Sequence, residues 1–246
     1  MKKILLFDLD GTLAESGNKM DNEMTNILQL VKNKGYEIGI VGGGKFDKII
    51  YQIDNGVVFD HIFSECGSVY YKWDGNNHEE IYRKNLREHQ TYNDINLLIK
   101  EALLFLSKVD YTLTGTFIDR REGLIYLSLI GMQANNDERK YFMDLDKKFK
   151  YRKNLLEILN NKAKELGVFE KLDIREGGSV GIAIYPKEWN KTQVLDVLDD
   201  YKNIHYFGDK YEEGGNDYEL IIHSRVTGKP VDSVEDTKMF LEHLLN

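Results

Sequence analysis

Short apolar runs alternate with amphipathic stretches from the start of the chain. Ile4 to Phe7, at the end of Lys2-Lys3-Ile4-Leu5-Leu6-Phe7, is the unbroken pattern of a strand buried on both faces. From Asp21 the apolar residues Met24, Ile27, Leu28 and Val31 recur at helical spacing, and Gly35 marks the stop. Glu37 to Val41 predicts a second buried strand, Gly42-Gly43-Gly44 a turn, and Phe46 to Ile53 another helix. Val57 to Phe63 predicts a third strand. Strands and helices in that alternation predict a parallel sheet with right-handed crossovers.

The pattern changes after about residue 80. Ile81 to Val109 is mixed and helical in its second half. Gly115 to Asp119 and Leu124 to Ile130 read as strands joined by the turn Arg120-Arg121-Glu122-Gly123. A helix is expected after Asn136 and another over Asn154 to Leu166, then strands near Phe169 to Arg175 and Ser179 to Tyr185. After Pro186 the first pattern returns. A helix is expected from Lys191 to Leu198, then a buried strand from Ile204 to Phe207, the turn Gly208-Asp209, and a last helix from Val234 to Leu245. The chain therefore reads as an α/β protein. A discontinuous parallel-sheet core, residues 1–80 and 187–246, accepts an inserted α+β domain over residues 81–186.

Composition narrows the function. The 246 residues carry 33 Lys and Arg against 41 Asp and Glu, a net charge of −8, which argues against a nucleic-acid scaffold. No apolar run approaches a membrane span or a signal peptide. The single cysteine, Cys66, cannot form a disulfide within the chain and favours a reducing compartment, so a cytoplasmic protein is expected.

Candidate chemistry gathers where the predicted parallel strands end. Asp8 and Asp10 follow the first, Gly42 to Gly44 the second, and Asp209 a later one, with Asp217 in Gly214-Gly215-Asn216-Asp217. Carboxylates brought to one sheet edge repel each other unless a cation lies between them, and hard oxygen ligands suit Mg²⁺. Glycine turns offer backbone N–H groups to an anion. Each piece has a plain reading: a capped turn, a tight turn, a solvated Lys191, an Asx turn. Their order along the chain points instead to phosphoryl transfer.

Phe7-Asp8-Leu9-Asp10-Gly11-Thr12-Leu13 resembles the first motif of the haloacid dehalogenase superfamily. Over almost its whole length the chain resembles the eukaryotic-type phosphomannomutases. The matching stretches are Val41-Gly42-Gly43, Gly115-Thr116-Phe117-Ile118, Ser128-Leu129-Ile130-Gly131, Glu138-Arg139, Leu145-Asp146-Lys147-Lys148, Trp189-Asn190-Lys191, Phe207-Gly208-Asp209-Lys210 and Gly214-Gly215-Asn216-Asp217. The resemblance implies that Asp8 takes the phosphoryl group as an aspartyl-phosphate and that Asp10 acts as general acid and base. It implies that Lys191 offsets phosphoryl charge, with Gly43 and Gly44 beside the substrate. Mg²⁺ would be held by Asp8, the Asp10 carbonyl, Asp209 and Asp217. The inserted domain would be a cap whose Arg121 and Arg139 grip the distal phosphate. A hexose bisphosphate activator, a phosphorylated sugar substrate, a homodimer joined through the caps and a place in GDP-mannose biosynthesis are implied in the same way.

Several positions depart from the family pattern, and they cluster on substrate contacts. The second-motif hydroxyl falls at Gly44, next to Lys45. An arginine after the first motif falls at Gly17, and two cap arginines fall at Met132 and Thr114. A cap serine and aspartate fall at Gly181 and Ala183. Ligands of a secondary metal loop fall at His223 and Val226. Arg120, Arg175 and Lys45 lie near lost contacts and are candidates to replace them. Alternatives to a mutase are therefore a phosphatase on another phosphorylated metabolite and a low-activity binding or regulatory relative.

Overall fold

The computed structural model describes residues 2–245. In the first part of the chain, β1 (Lys2–Phe7) leads to α1 (Asn22–Asn33), β2 (Glu37–Val41), α2 (Phe46–Ile53) and β3 (His61–Ser64). The Asp21 side chain accepts the Met24 N–H at 2.7 Å to start α1, and Met24, Ile27, Leu28 and Val31 are its buried stripe. The third strand begins later than Val57 because Asp60 interrupts it. Its carboxylate accepts the Ile38 N–H at 2.8 Å and the Lys32 ammonium at 2.8 and 2.9 Å, so Val57 and Phe59 are core residues of a connecting loop.

Two further strands, β4 (Val69–Trp73) and β5 (His78–Arg83), extend this sheet antiparallel from β3. Asp74 makes their turn, accepting the Asn76 and Asn77 N–H groups at 2.7 Å each. The chain splits into two compact units: one runs to Lys84 and resumes at Trp189, and the other is Asn85–Glu188.

The second unit contains α3 (Tyr92–Leu106), β6 (Ile118–Arg120), β7 (Ile125–Ser128), α4 (Asn136–Phe149), α5 (Tyr151–Glu165), β8 (Leu172–Gly177) and β9 (Gly181–Pro186). Its sheet is antiparallel in the order β6-β7-β9-β8. Ile125, Leu127, Ile174, Ile182 and Ile184 are buried on one face, and α5 packs against β8 and β9. Asp119, Tyr126, Ala183 and Arg175 form one cross-strand row on the other. Asn135 and Glu138 make a capping box for α4. The carboxylate of Asp146 receives the Arg152 N–H and Nε–H at 2.8 and 2.7 Å, securing the corner where α4 meets α5.

The chain then returns through a tight 3₁₀ segment (Lys191–Val197), β10 (Tyr201–Gly208), α6 (Tyr218–Ile221), β11 (Val226–Pro230) and α7 (Val234–Leu245). An α-helix over Lys191 to Leu198 is not formed. Asn190 accepts the Thr192 N–H at 2.8 Å, and Gln193 donates to the carbonyls of Cys66 and Trp189 at 2.9 and 2.8 Å; these bonds hold the 3₁₀ geometry. The large sheet runs β11-β10-β1-β2-β3-β4-β5, parallel from β11 to β3. β1 lies between β10 and β2, so the strand order reverses beside its carboxyl end, where open α/β sheets form their binding crevice. Among the described residues no helix is long and apolar enough to cross a membrane.

Candidate active site

Asp8 is the first residue beyond β1, and its N–H still donates to the Phe207 carbonyl of β10 at 2.8 Å. That ladder bond fixes the side chain at the sheet's carboxyl edge. Asp209 follows β10, and Asp217 precedes α6. The chain makes room for them with glycine. A Cβ on Gly11, which has φ +88°, would come 2.7 Å from Asp209 Oδ2, and one on Gly208 would come 2.6 Å from Asp217.

Lys191 joins these acids. Its side chain is 1% exposed, and its ammonium donates to Asp8 Oδ1 at 2.5 Å, Asp217 Oδ1 at 2.6 Å and the Tyr206 hydroxyl at 3.0 Å. Tyr206 in turn donates to Asp217, whose other oxygen accepts the Lys210 N–H at 2.9 Å. Burial alone would lower the Lys191 pKa, but Asp217, Asp8 and Tyr206 together hold it well above its ordinary value. Burial, with Asp217 and Asp209 adding repulsion, pushes the Asp8 carboxyl up to about 7 despite Lys191.

One carboxylate oxygen from each of Asp8, Asp209 and Asp217 lies within 4.8 Å of the others. Asp209 Oδ1 is buried and has no hydrogen-bond partner. Three clustered carboxylates, one with an unsatisfied buried oxygen, are a donor set for a hard divalent cation, and the cluster could hold a metal. The Asp10 carboxylate is not part of this group. Its Oδ1 accepts the Gly17 N–H at 2.9 Å and Gln52 Nε2 at 2.8 Å, and its Oδ2 accepts Lys48 at 2.7 Å. Burial would raise its pKa; the bonds from Lys48, Gly17 and Gln52 outweigh burial and leave it below the ordinary carboxylate range.

Gly17 therefore contributes its backbone rather than a side chain. Gly43 and Gly44 lie in the turn after β2, where Gly42 and Gly44 carbonyls accept the N–H groups of Cys66 and Glu65 at 2.9 and 3.0 Å. A Cβ on Gly44 would meet only the Lys48 side chain closely, at 3.3 Å. Val226 opens β11.

In the second unit Arg121 donates to Asp119 at 2.8 Å and lies over the Tyr126 ring, 5.1 Å from its centroid. Arg139 donates to the carbonyls of Ala134 and Met132 at 2.9 and 3.0 Å, bracing the loop before α4. Arg175 pairs with Asp173 at 3.1 Å. Three contributors escape the sequence reading: Tyr206, Lys48 and Gln52. Their signals are present, since Lys48 and Gln52 are four apart on α2 and Tyr206 alternates with Ile204 along β10.

The chain is an α/β protein whose parallel sheet delivers an acid cluster and a buried lysine to its reversal point. The fold matches an IMP-bound Plasmodium falciparum IMP-nucleotidase with a TM-score of 0.67 at 16% identity, over 99% of this chain and 68% of that one. A family model of eukaryotic phosphomannomutases matches residues 24–246, and the chain belongs to that family. The phosphomannomutase of Spinacia oleracea is 35% identical over 95% of this chain and 92% of its own. That of Saccharomyces cerevisiae is 34% identical over 99% and 94%. Relatives of this kind make the chain an enzyme of the phosphosugar mutase type.

Proposed function

We propose that this chain is a Mg²⁺-dependent mutase that moves a phosphoryl group between positions 1 and 6 of a hexose, with mannose as the first sugar to test. The observation that carries the reading is the buried Asp8–Lys191–Asp217 arrangement at the end of the central strand. Asp8 would carry the phosphoryl group. A hexose bisphosphate activator would load it first, the Asp8 oxygen–phosphorus bond forming as a sugar oxygen–phosphorus bond breaks and protonated Asp10 gives its proton to the released sugar oxygen. The substrate's free hydroxyl would then attack the aspartyl-phosphate while ionised Asp10 accepts its proton. After the bisphosphate turns round, Asp8 attacks the other phosphate and Asp10 returns the proton to the leaving oxygen. The depressed pKa of Asp10 suits a group that begins the cycle as a base.

Lys191 would hold the attacking Asp8 oxygen in place and offset charge on the phosphoryl group. Mg²⁺, bound by Asp8, Asp209, Asp217 and the Asp10 carbonyl, would supply charge neutralisation at the phosphoryl oxygens. Gly43 and Gly44 would line the phosphoryl site with backbone. The smaller unit would serve as the cap, with Arg121 and Arg139 on the distal phosphate. Leu97, Leu103 and Leu104 are exposed on α3, an apolar patch that a homodimer through the smaller unit would cover; a sedimentation mass of one chain would contradict that. A cytoplasmic place in GDP-mannose biosynthesis completes the proposal.

A second reading, a phosphatase built on the same acids, is favoured by Gly44, Gly181 and Ala183, where polar side chains are missing. Phosphorus NMR of the enzyme with Mg²⁺, mannose 1-phosphate and a hexose bisphosphate decides between them. Accumulating mannose 6-phosphate supports the mutase, and accumulating free phosphate supports the phosphatase. Stable substrate under all conditions favours a binding relative.

A further inference from the structure

The Lys191 ammonium has three N–H donors and no acceptor, and each donor has its own partner. Two partners are carboxylates, Asp8 at 2.5 Å and Asp217 at 2.6 Å. The third is a neutral phenol, the Tyr206 hydroxyl, at 3.0 Å. That hydroxyl in turn donates to Asp217 Oδ1, the same oxygen that the ammonium meets. Ammonium, phenol and carboxylate oxygen therefore close a triangle in which every side is a hydrogen bond. Asp8 lies outside the triangle, on the remaining N–H of Lys191.

Of the three corners, Tyr206 is the one held by packing. It is wholly buried in β10, paired with Leu6 of β1 on one side and Gly228 of β11 on the other. The apolar cluster around it includes Leu6, Val194, Leu195, Leu198 and Leu220. Lys191, by contrast, brings its ammonium on a flexible four-carbon stem from the start of the 3₁₀ segment. Such a stem can turn about its last bond or lean wholly toward Asp217. The triangle opposes both movements. Tyr206 occupies one N–H, and Asp217 is already shared, with Tyr206 on Oδ1 and the Lys210 N–H on Oδ2 at 2.9 Å. With the Asp217 charge spread over three donors, the third N–H of Lys191 is left to Asp8.

We propose that Tyr206 is a positioning residue for phosphoryl transfer, its hydroxyl anchoring the Lys191 ammonium so that one N–H stays on Asp8 Oδ1. The proposal rests on the reading of Asp8 as the group that takes the phosphate. Tyr206 acts through Lys191, and its own proton is not transferred. Without the hydroxyl, one N–H of Lys191 is left facing an apolar ring and Asp217 Oδ1 loses a donor. The ammonium then turns toward Asp217 and away from Asp8. Losing one hydrogen bond to a charged group should slow the loading of Asp8 about 10- to 100-fold. Binding of the bisphosphate should not change, because the wholly buried ring offers it no contact.

Rapid quenching of the full chain after mixing with Mg²⁺ and a hexose bisphosphate reads the rate at which phosphate appears on Asp8. Tyr206→Phe keeps the ring that fills the core and removes only the hydroxyl. A maximal rate lowered at least about tenfold, with the half-saturating bisphosphate concentration within about twofold of the parent, supports the proposal. An unchanged maximal rate overturns it, whether or not Tm falls, since the hydroxyl then serves stability alone. The same substitution in a Lys191→Met background should alter the rate by less than about twofold, and equal slowing in both backgrounds overturns the proposal. The parent labelled with heavy nitrogen in lysine gives a reading that needs no variant at Tyr206. An Overhauser contact between the Lys191 ammonium and a slowly exchanging tyrosine hydroxyl supports the anchor, and absence of that contact overturns it. If the parent forms no phosphate on Asp8, the phosphoryl-transfer reading falls and takes this proposal with it. If the parent loads and Tyr206→Phe loads as fast, this proposal falls alone.

Discussion

Replacing Lys191 with methionine keeps an unbranched side chain one atom shorter and removes its charge. The ammonium is 1% exposed and sits 2.5 Å from Asp8 and 2.6 Å from Asp217, so no water can stand in for it. Deleting one partner of a buried ion pair costs about 3–5 kcal/mol, mainly because the remaining charges are stranded. For a chain of this size each kcal/mol is worth about 2–4 °C, so Tm should fall by about 6–20 °C. The loss should depend on pH. Asp8 has a folded pKa raised to about 7 from 3.8, so its contribution to stability is complete below 3.8 and is lost as pH rises through 7. Without Lys191 that folded pKa rises further. Parent and variant then lose stability together up to pH 7, and the variant alone continues to lose it above. Melts by circular dichroism from pH 5 to pH 9 should show the gap widening above pH 7. A loss under about 1 kcal/mol, or a gap that does not change with pH, would refute the stranded-charge argument.

Because a cation must displace the proton from Asp8, Mg²⁺ affinity should rise by up to about tenfold per pH unit below 7 and level off above it. Calorimetry at pH 6, 7 and 8 checks this, and a pH-independent affinity contradicts it. Arg121→Ala and Arg139→Ala should each raise KM about 10- to 100-fold, the worth of one charged phosphate contact. Normal kinetics in both would remove them from the substrate site. Lys238, 7% exposed, joins Asp21 and Glu23 to Glu235 at 2.9, 2.6 and 2.8 Å. Lys238→Met should destabilise by about 1–2 kcal/mol at low salt, since its partners are mostly solvated, and leave phosphoryl transfer unchanged. A larger loss of turnover than of Tm would contradict that.

The parallel core was legible because its signals are local. Four apolar residues precede Asp8, the Met24–Val31 stripe has a clear helical period, and Phe46–Ile53 and Val234–Leu245 fall where the pattern places them. The β4–β5 hairpin was missed although Asp74-Gly75-Asn76-Asn77 is strong turn chemistry, because the solvated strand β5 has almost no apolar face. The Lys191 segment was read as α-helix because its apolar spacing fits one. Asn190 caps it locally, but the Gln193 bond to the Cys66 carbonyl that helps tighten it is long-range and leaves no periodic trace.

Among the site residues, Asp8, Asp209 and Asp217 were visible as acids after strands, and the fold brings them together. That Asp10 turns instead to Lys48 and Gln52 was not, since it depends on how α2 is set against the loop after β1. At Gly181 and Ala183 the sequence showed only absent polar groups. The cause at Gly181 is Tyr126, placed over it by strand register.

The central claim is that Asp8 carries the phosphoryl group. Incubating the enzyme with Mg²⁺ and a hexose bisphosphate, quenching in acid and mapping phosphopeptides by mass spectrometry addresses it directly. The account expects a hydroxylamine-labile phosphate on Asp8, absent from Asp8→Asn and formed more slowly in Lys191→Met. Turnover of sugar phosphate with no acyl-phosphate on Asp8, or with Asp8→Asn fully active, would contradict it.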